Sequence, residues 1–168
     1  EMPAVEFDWA SETIRHVGTV VHRALQQIGR EGRAHWPVTR LDALMPGFRL
    51  ALARQGIPAD KLDPAVERVR EAVTRALSDP RGAWLFDPAH NDAKSEYALS
   101  LADEHGRPVT VIMDRSFVDA HGTRWIVDFK TSTHTGGGLD AFLDREQERY
   151  RKQLEKYAAV LGKIEKRP

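Results

Sequence analysis

Two aspartates and a lysine stand out in the stretch Val109 to Thr131, VTVIMDRSFVDAHGTRWIVDFKT. Asp114 follows the run Val-Thr-Val-Ile-Met, and Asp128 and Lys130 fall within Ile-Val-Asp-Phe-Lys-Thr, so all three sit in alternating, β-branched segments that read as strands. Carboxylates brought together in a sheet need a counter-charge. Lysine is one, and a hard divalent cation such as Mg²⁺, which takes one or two carboxylates among its oxygen ligands, is another.

The elements that position these residues follow from the loop between them. Val109 to Asp119 and Thr123 to Thr131 are separated by Ala120, His121 and Gly122, which suits a three-residue hairpin loop with glycine in the left-handed position. With Asp119 paired to Thr123, Met113 comes opposite Phe129, Asp114 opposite Asp128, and Lys130 faces Ile112. Side chains alternate along strands, so Val109, Val111, Met113, Phe117, Trp125, Val127 and Phe129 line an apolar face, and Asp114, Asp128 and Lys130 share the other. Arg115 falls on the apolar side, where only a strand end or a bulge accounts for it.

Directly opposed residues bring their Cβ atoms to about 4.5–5.5 Å, and like charges so placed repel. Two readings of the aspartate pair stay open. They hold a cation, or they are solvated acids bridged by Lys130. A two-residue loop would send the second carboxylate to the other face.

The chain has 168 residues, 41% of them hydrophobic and 30% charged, enough for a globular domain. Its 25 basic and 25 acidic residues cancel, which leaves nucleic-acid binding to local patches. With no cysteine, disulfides, thiolate catalysis, zinc–thiolate sites and iron–sulfur clusters are excluded. No apolar run suits a transmembrane helix and the start lacks a signal-peptide pattern, so the expectation is a cytoplasmic protein with no membrane partner.

In chain order, Ile14, Val17, Val21, Leu25 and Ile28 mark an amphipathic helix from Ser11 to about Gly29, with His22 at the edge of the stripe. Trp36 to Pro58 reads as short helical pieces broken at Pro46 and Gly56. Asp63-Pro64 opens a helix to about Ser78 through Val66, Val69, Val73 and Leu77. Trp84, Leu85 and Phe86 are candidate core anchors. Ser95 to Ala102 reads as a first strand, completing a three-stranded meander, with Glu96 at its start. Three consecutive glycines at 136–138 lack the lysine of a phosphate-binding loop. The longest helix spans Asp140 to Leu161, burying Leu139, Leu143, Tyr150, Leu154, Tyr157 and Leu161. A neighbouring face carries the basic stripe Arg145, Arg149, Lys152 and Lys156, which suits either solvent or a phosphate backbone, with Gln153 between the two.

These pieces resemble the PD-(D/E)XK nuclease superfamily, and within it the nuclease domain at the C-terminus of RecB and AddA helicase-nucleases. The matching motifs are Gly-Thr-Val-Val-His at Gly18 to His22, Ile-Met-Asp-Arg at Ile112 to Arg115, Ile-Val-Asp-Phe-Lys-Thr at Ile126 to Thr131, and Gln-Leu-Glu-Lys-Tyr at Gln153 to Tyr157. Met113 stands where the superfamily's name has proline. The resemblance implies that His22, Asp114, Asp128 and the Phe129 backbone carbonyl bind Mg²⁺ or Mn²⁺, and that Lys130 assists catalysis. Gln153 and Tyr157 match a helical motif that supports the site or the DNA, Glu96 matches an acidic position ahead of the hairpin, and Arg149 and Lys152 are candidate DNA contacts.

The implied fold is α/β and restriction-endonuclease-like, a three-stranded antiparallel meander flanked by helices. Its final core strand would follow Pro168. Residues 1–168 are expected to form a single nuclease domain, with a mainly helical part over 1–90 carrying the histidine motif and the sheet and long helix over 91–168. The implied activity is metal-dependent hydrolysis of DNA, as the exonuclease module of a repair and recombination enzyme with helicase motor domains or subunits upstream. The alternatives are a catalytically idle module that grips DNA ends for a helicase, and a structural domain whose acids are surface decoration.

Overall fold

The structure, a computed structural model, describes residues 9–102, 105–129, 155, 157–159 and 161–162. It is mixed α/β. The order is α1 (Trp9–Glu31), a 3₁₀ turn (Arg33–His35), α2 (Val38–Arg54), α3 (Ala59–Ser78), α4 (Pro80–Leu85), β1 (Asn91–Ala102), β2 (Pro108–Val118) and β3 (Arg124–Val127). The described residues fall into two compact units, a helical one ending at Asp87 and a second beginning at Pro88.

In the helical unit α3 packs against both α1 and α2. The apolar stripe of α1 behaves as its periodicity requires: Val17, Val21, Leu25 and Ile28 are buried, joined by Val20 and Ala24. Two proline-based expectations are corrected. α2 runs unbroken through Pro46 although that residue has no N–H for the carbonyl one turn back. Leu41 and Leu52, on either side of it, are 2% and 0% exposed, so both halves are tied to the same core. Burying each side chain contributes about 1.5–3 kcal/mol against the ~3 kcal/mol cost of an interior proline.

Likewise α3 starts at Ala59, with Pro64 inside it rather than at its first turn. Leu62, buried at 8% exposure, draws that earlier turn into the core with Ala65, Val69 and Val73. Asp79 ends α3 and caps α4: its carboxylate accepts from the Arg81 N–H at 2.8 Å and from the same residue's guanidinium at 3.0 and 2.8 Å. The Arg81 side chain is the main reason this carboxyl is held down at about 2. Of the candidate anchors beyond, Phe86 is buried and Trp84 is 39% exposed.

The second unit holds a three-stranded antiparallel meander in the order β1-β2-β3. β1 starts four residues before the predicted Ser95, because a one-residue slip between Asn91 and Lys94 lets the chain pair on both sides of a bulge. Asp92, with φ of 45°, sits in that bulge and is held by Arg124 from β3, whose Nη2 reaches its Oδ2 at 2.5 Å. Leu99, Val111 and Met113 form the core with Tyr157 and Leu161 from the C-terminal helical residues, and Tyr97 and Ile126 pack against it.

Two residues of the predicted apolar face are corrected. Trp125 is 40% exposed, because its indole N–H donates to Asp119 Oδ2 at 2.8 Å at the mouth of the hairpin. Arg115 lies neither at a strand end nor in the bulge: it is mid-strand, 3% exposed, paired with Ser95 and Val127. Its Nη1 donates to Ser95 Oγ at 3.2 Å and its guanidinium lies 5.8 Å from the Phe117 ring centre.

Gly82 marks the tightest backbone approach, since a Cβ there would lie 1.8 Å from the Ala76 carbonyl oxygen. Gly47, inside α2, has open space around it. Gly82→Ala is therefore expected to lower the free energy of unfolding by about 1–3 kcal/mol. Gly47→Ala is expected to raise it by roughly 0.5–1 kcal/mol, both read by urea titration.

Candidate functional site

The β2–β3 hairpin is built from its loop outward. Gly122 adopts φ of 80°, and the Asp119 N–H donates to the Thr123 carbonyl at 3.0 Å, closing the three-residue loop. Asp119 also braces it by side chain. Its Oδ1 accepts from the N–H groups of His121 at 2.8 Å and Thr123 at 2.9 Å, while Oδ2 takes the Trp125 indole. Trp125, then Thr123, hold its carboxyl below the ordinary carboxylate value. An Asp just before Ala-His-Gly is an Asx-turn signal, the mark this brace leaves in the sequence.

The resulting register is Arg115↔Val127, Ser116↔Ile126, Phe117↔Trp125 and Val118↔Arg124. Carried one step further, it sets Asp114 across from Asp128. The strand pairing stops at Val127, and there the Phe129 N–H donates to Asp114 Oδ2 at 2.6 Å. Asp114 thus grips the peptide that joins Asp128 to Phe129. Asp114 is 9% exposed and the Oδ2 atom of Asp128 is shut off from solvent. Ser116, fully buried and two residues along β2, ties the same two strands together by donating from Oγ to the Trp125 carbonyl at 2.9 Å.

On the other side of β2 the pairs Ser95↔Arg115 and Tyr97↔Met113 bracket Glu96 and set it across from Asp114. Glu96, Asp114 and Asp128 therefore occupy one row across the sheet. Glu96 has φ of 51°, a left-handed conformation costing about 1–3 kcal/mol in a residue with a Cβ. The surrounding ladder holds it there, and such strain concentrates at functional positions.

The remaining predicted residues divide clearly. His22 lies on α1 in the helical unit, half-buried, with the Gln26 amide 3.1 Å from its Nδ1. Tyr157 is 8% exposed within the apolar cluster. Lys130, Arg149, Lys152 and Gln153, with Arg145 and Lys156, lie outside the described residues. Among the described residues no group of three or more His, Asp or Glu side chains is gathered closely enough to hold a metal, and no helix is long and apolar enough to cross a membrane. The donors present still suit a hard cation: two carboxylates opposed across a hairpin and a main-chain carbonyl beside them are all-oxygen ligands.

Fold and site together define a mixed α/β protein with one carboxylate on the second strand of a meander and another just past the end of the third. The family model of the PD-(D/E)XK nuclease superfamily matches residues 5–168, and the chain belongs to that superfamily. Its members are generally nucleases, with DNA as substrate, and typically use divalent metal ions, usually Mg²⁺. No curated protein and no solved structure matches the chain.

Because Asp119 has a lowered carboxyl pKa when folded, its contribution to stability is fully present above the ordinary value of 3.8 and is lost as pH falls through the lower folded-state value. Asp119→Asn is expected to remove that part of the acid dependence and to lower the melting temperature at pH 7. Melts of both proteins from pH 7 downward measure it, and parallel curves would exclude the brace.

Proposed function

We propose that this chain hydrolyses DNA phosphodiesters with a divalent cation held by Asp114, Asp128, the Phe129 carbonyl and His22. The observation that supports the reading best is the Asp114 grip on the Asp128–Phe129 peptide, in a register that opposes the two carboxylates. When bound, the cation supplies Lewis acidity, drawing charge from the scissile phosphate and making water a stronger nucleophile.

The chain's own residues do the rest. Asp114 and Asp128 supply the negative charge that retains the cation, and the pinned Phe129 amide fixes the backbone that offers the carbonyl. Lys130, two residues beyond Asp128, balances the charge that builds on the phosphate as water adds and one P–O bond breaks. Glu96 supplies a third carboxylate on the same row. Arg149 and Lys152 follow the phosphate backbone, and Gln153 and Tyr157 support the site from the C-terminal helix. Tyr157 does so from within the core. The order of the four motifs supports placing the chain as a single nuclease domain, the exonuclease module of a RecB/AddA-like helicase-nuclease in repair and recombination, in the cytoplasm, beside motor domains or subunits.

Purified protein is expected to degrade linear DNA with Mg²⁺ or Mn²⁺, to stop in EDTA, and to spare closed circles. Lys130→Ala is expected to cut the rate by about 10²–10³, and Asp128→Ala to bring it to background and abolish Mn²⁺ binding by calorimetry, each with an unchanged circular dichroism spectrum. Cleavage by a variant carrying both Asp128→Ala and Lys130→Ala would remove the mechanism, and cutting of closed circles would remove the exonuclease assignment. Metal binding with no cleavage of any DNA would point to an end-gripping module. Glu96→Gly is expected to keep or raise the melting temperature, since glycine tolerates that φ, while slowing cleavage.

A further inference from the structure

Glu96, Asp114 and Asp128 stand on one face of the meander, and within the second unit that face continues past them along β1 and β2. The next pair is Ala98↔Ile112, followed by Ser100↔Thr110 and Ala102↔Pro108. All six residues are exposed, Ile112 at 55%, whereas Leu99, Val111 and Met113, which alternate with them, are buried on the opposite face. Ser100 Oγ and Thr110 Oγ1 lie 2.7 Å apart, so these two side chains rise together from the open side. The solvated face of an antiparallel sheet is normally polar, and 30% of this chain is charged. These three pairs carry no charge, directly beside a row of three acids.

That composition restricts what the strip receives. It has no cation with which to hold a phosphate, and a duplex lying along it would set phosphates of both strands against neutral side chains. It is also too narrow for a protein partner, since one exposed isoleucine flanked by alanine and hydroxyls falls far short of the ~800 Å² that each side of a stable interface buries. Its rows recur about 6.8 Å apart, a step close to one nucleotide of an extended strand.

An unpaired nucleotide meets all three conditions. With its phosphate at the acid row, its sugar and base reach the adjacent row, where Ile112 and Ala98 offer an apolar contact that the face of any base accepts. The mutual bond of Ser100 and Thr110 consumes one of their two hydroxyl protons. The pair keeps one donor and spare lone pairs, enough to meet a base edge or a sugar and too little to select one base.

We propose that Ala98, Ser100, Thr110 and Ile112 form a binding strip for the bases of single-stranded DNA beside the scissile phosphate, so that the substrate is an unpaired strand taken without regard to sequence. This rests on reading the acid row as the place where the phosphodiester is hydrolysed.

The test titrates the full chain in EDTA, where nothing is cut, against three dye-labelled probes read by fluorescence anisotropy. The probes are a mixed-sequence single strand, its blunt duplex, and a strand of the same length made of abasic nucleotides, which keeps the phosphates and removes the bases. The wild type is expected to bind the single strand about tenfold tighter than either of the others. Ile112→Thr, which keeps β-branching at an exposed position, is expected to weaken the single strand about fivefold and to leave the abasic strand unchanged. Ile112→Phe is expected to tighten the single strand about fivefold.

Equal affinity for the normal and abasic strands overturns the proposal, as does tighter binding of the duplex or an Ile112→Thr loss of the same size on both single strands. Should Ile112→Thr not fold, Ile112→Phe without a gain decides against the strip. A dimer in size-exclusion chromatography that Ile112→Thr dissociates would give this face to a second copy and overturns it too. Degradation with Mg²⁺ tests the hydrolytic reading separately. No cleavage beside the expected binding ratios removes that reading and leaves the strip as a single-strand binding face, whereas cleavage beside an unchanged Ile112→Thr affinity overturns the strip alone.

Discussion

The hydrogen bond from the Phe129 N–H to Asp114 Oδ2, at 2.6 Å, is where the sheet hands over to the site. Up to Val127 the third strand is held by ladder bonds, which carry no chemical function. At the next turn of the ladder a carboxylate takes the place of a main-chain acceptor. A charge-assisted bond of this kind is shorter and roughly twice as strong as a neutral one. A carboxylate also has about four acceptor positions, so anchoring a peptide leaves it capacity for a cation. The same side chain can therefore shape the backbone of the Asp-x-Lys segment and take part in what that backbone presents.

That handover works only if the parity of the hairpin is right, and parity is a property of the loop. Counting three residues between Asp119 and Thr123 was enough to derive the register, because an antiparallel pair has one degree of freedom and the loop removes it. The alternation along β2 was equally legible: Val111 and Met113 are buried while Ile112 between them is 55% exposed. Asp114 then breaks the alternation of burial without breaking that of direction, since from there to Phe117 every residue is buried on both faces.

What the residues do not announce is conformation that their neighbours impose. Nothing in the letters Asp92 or Glu96 signals a positive φ, as a glycine would have done. Asp92 lies in the one-residue slip of β1 and is held by Arg124, whereas Glu96 lies beyond the slip, between the regular pairs Ser95↔Arg115 and Tyr97↔Met113. Pro46 and Pro64 err the other way, because each is strong local punctuation that the burial of Leu41, Leu52 and Leu62 outweighs. Local rules describe the chain before it packs, and these are the positions at which packing decides.

Arg115 is the case where packing and site meet. Adjacent residues on a strand point to opposite faces, so the guanidinium next to Asp114 enters the face away from the carboxylates. Burial pushes its pKa down from the ordinary arginine value, a direction that disfavours keeping a charge there. A polar surface position would avoid that cost, yet the side chain stays inside, donating to Ser95 Oγ. The Ser95 hydroxyl and the Phe117 ring are what the buried guanidinium meets on that face.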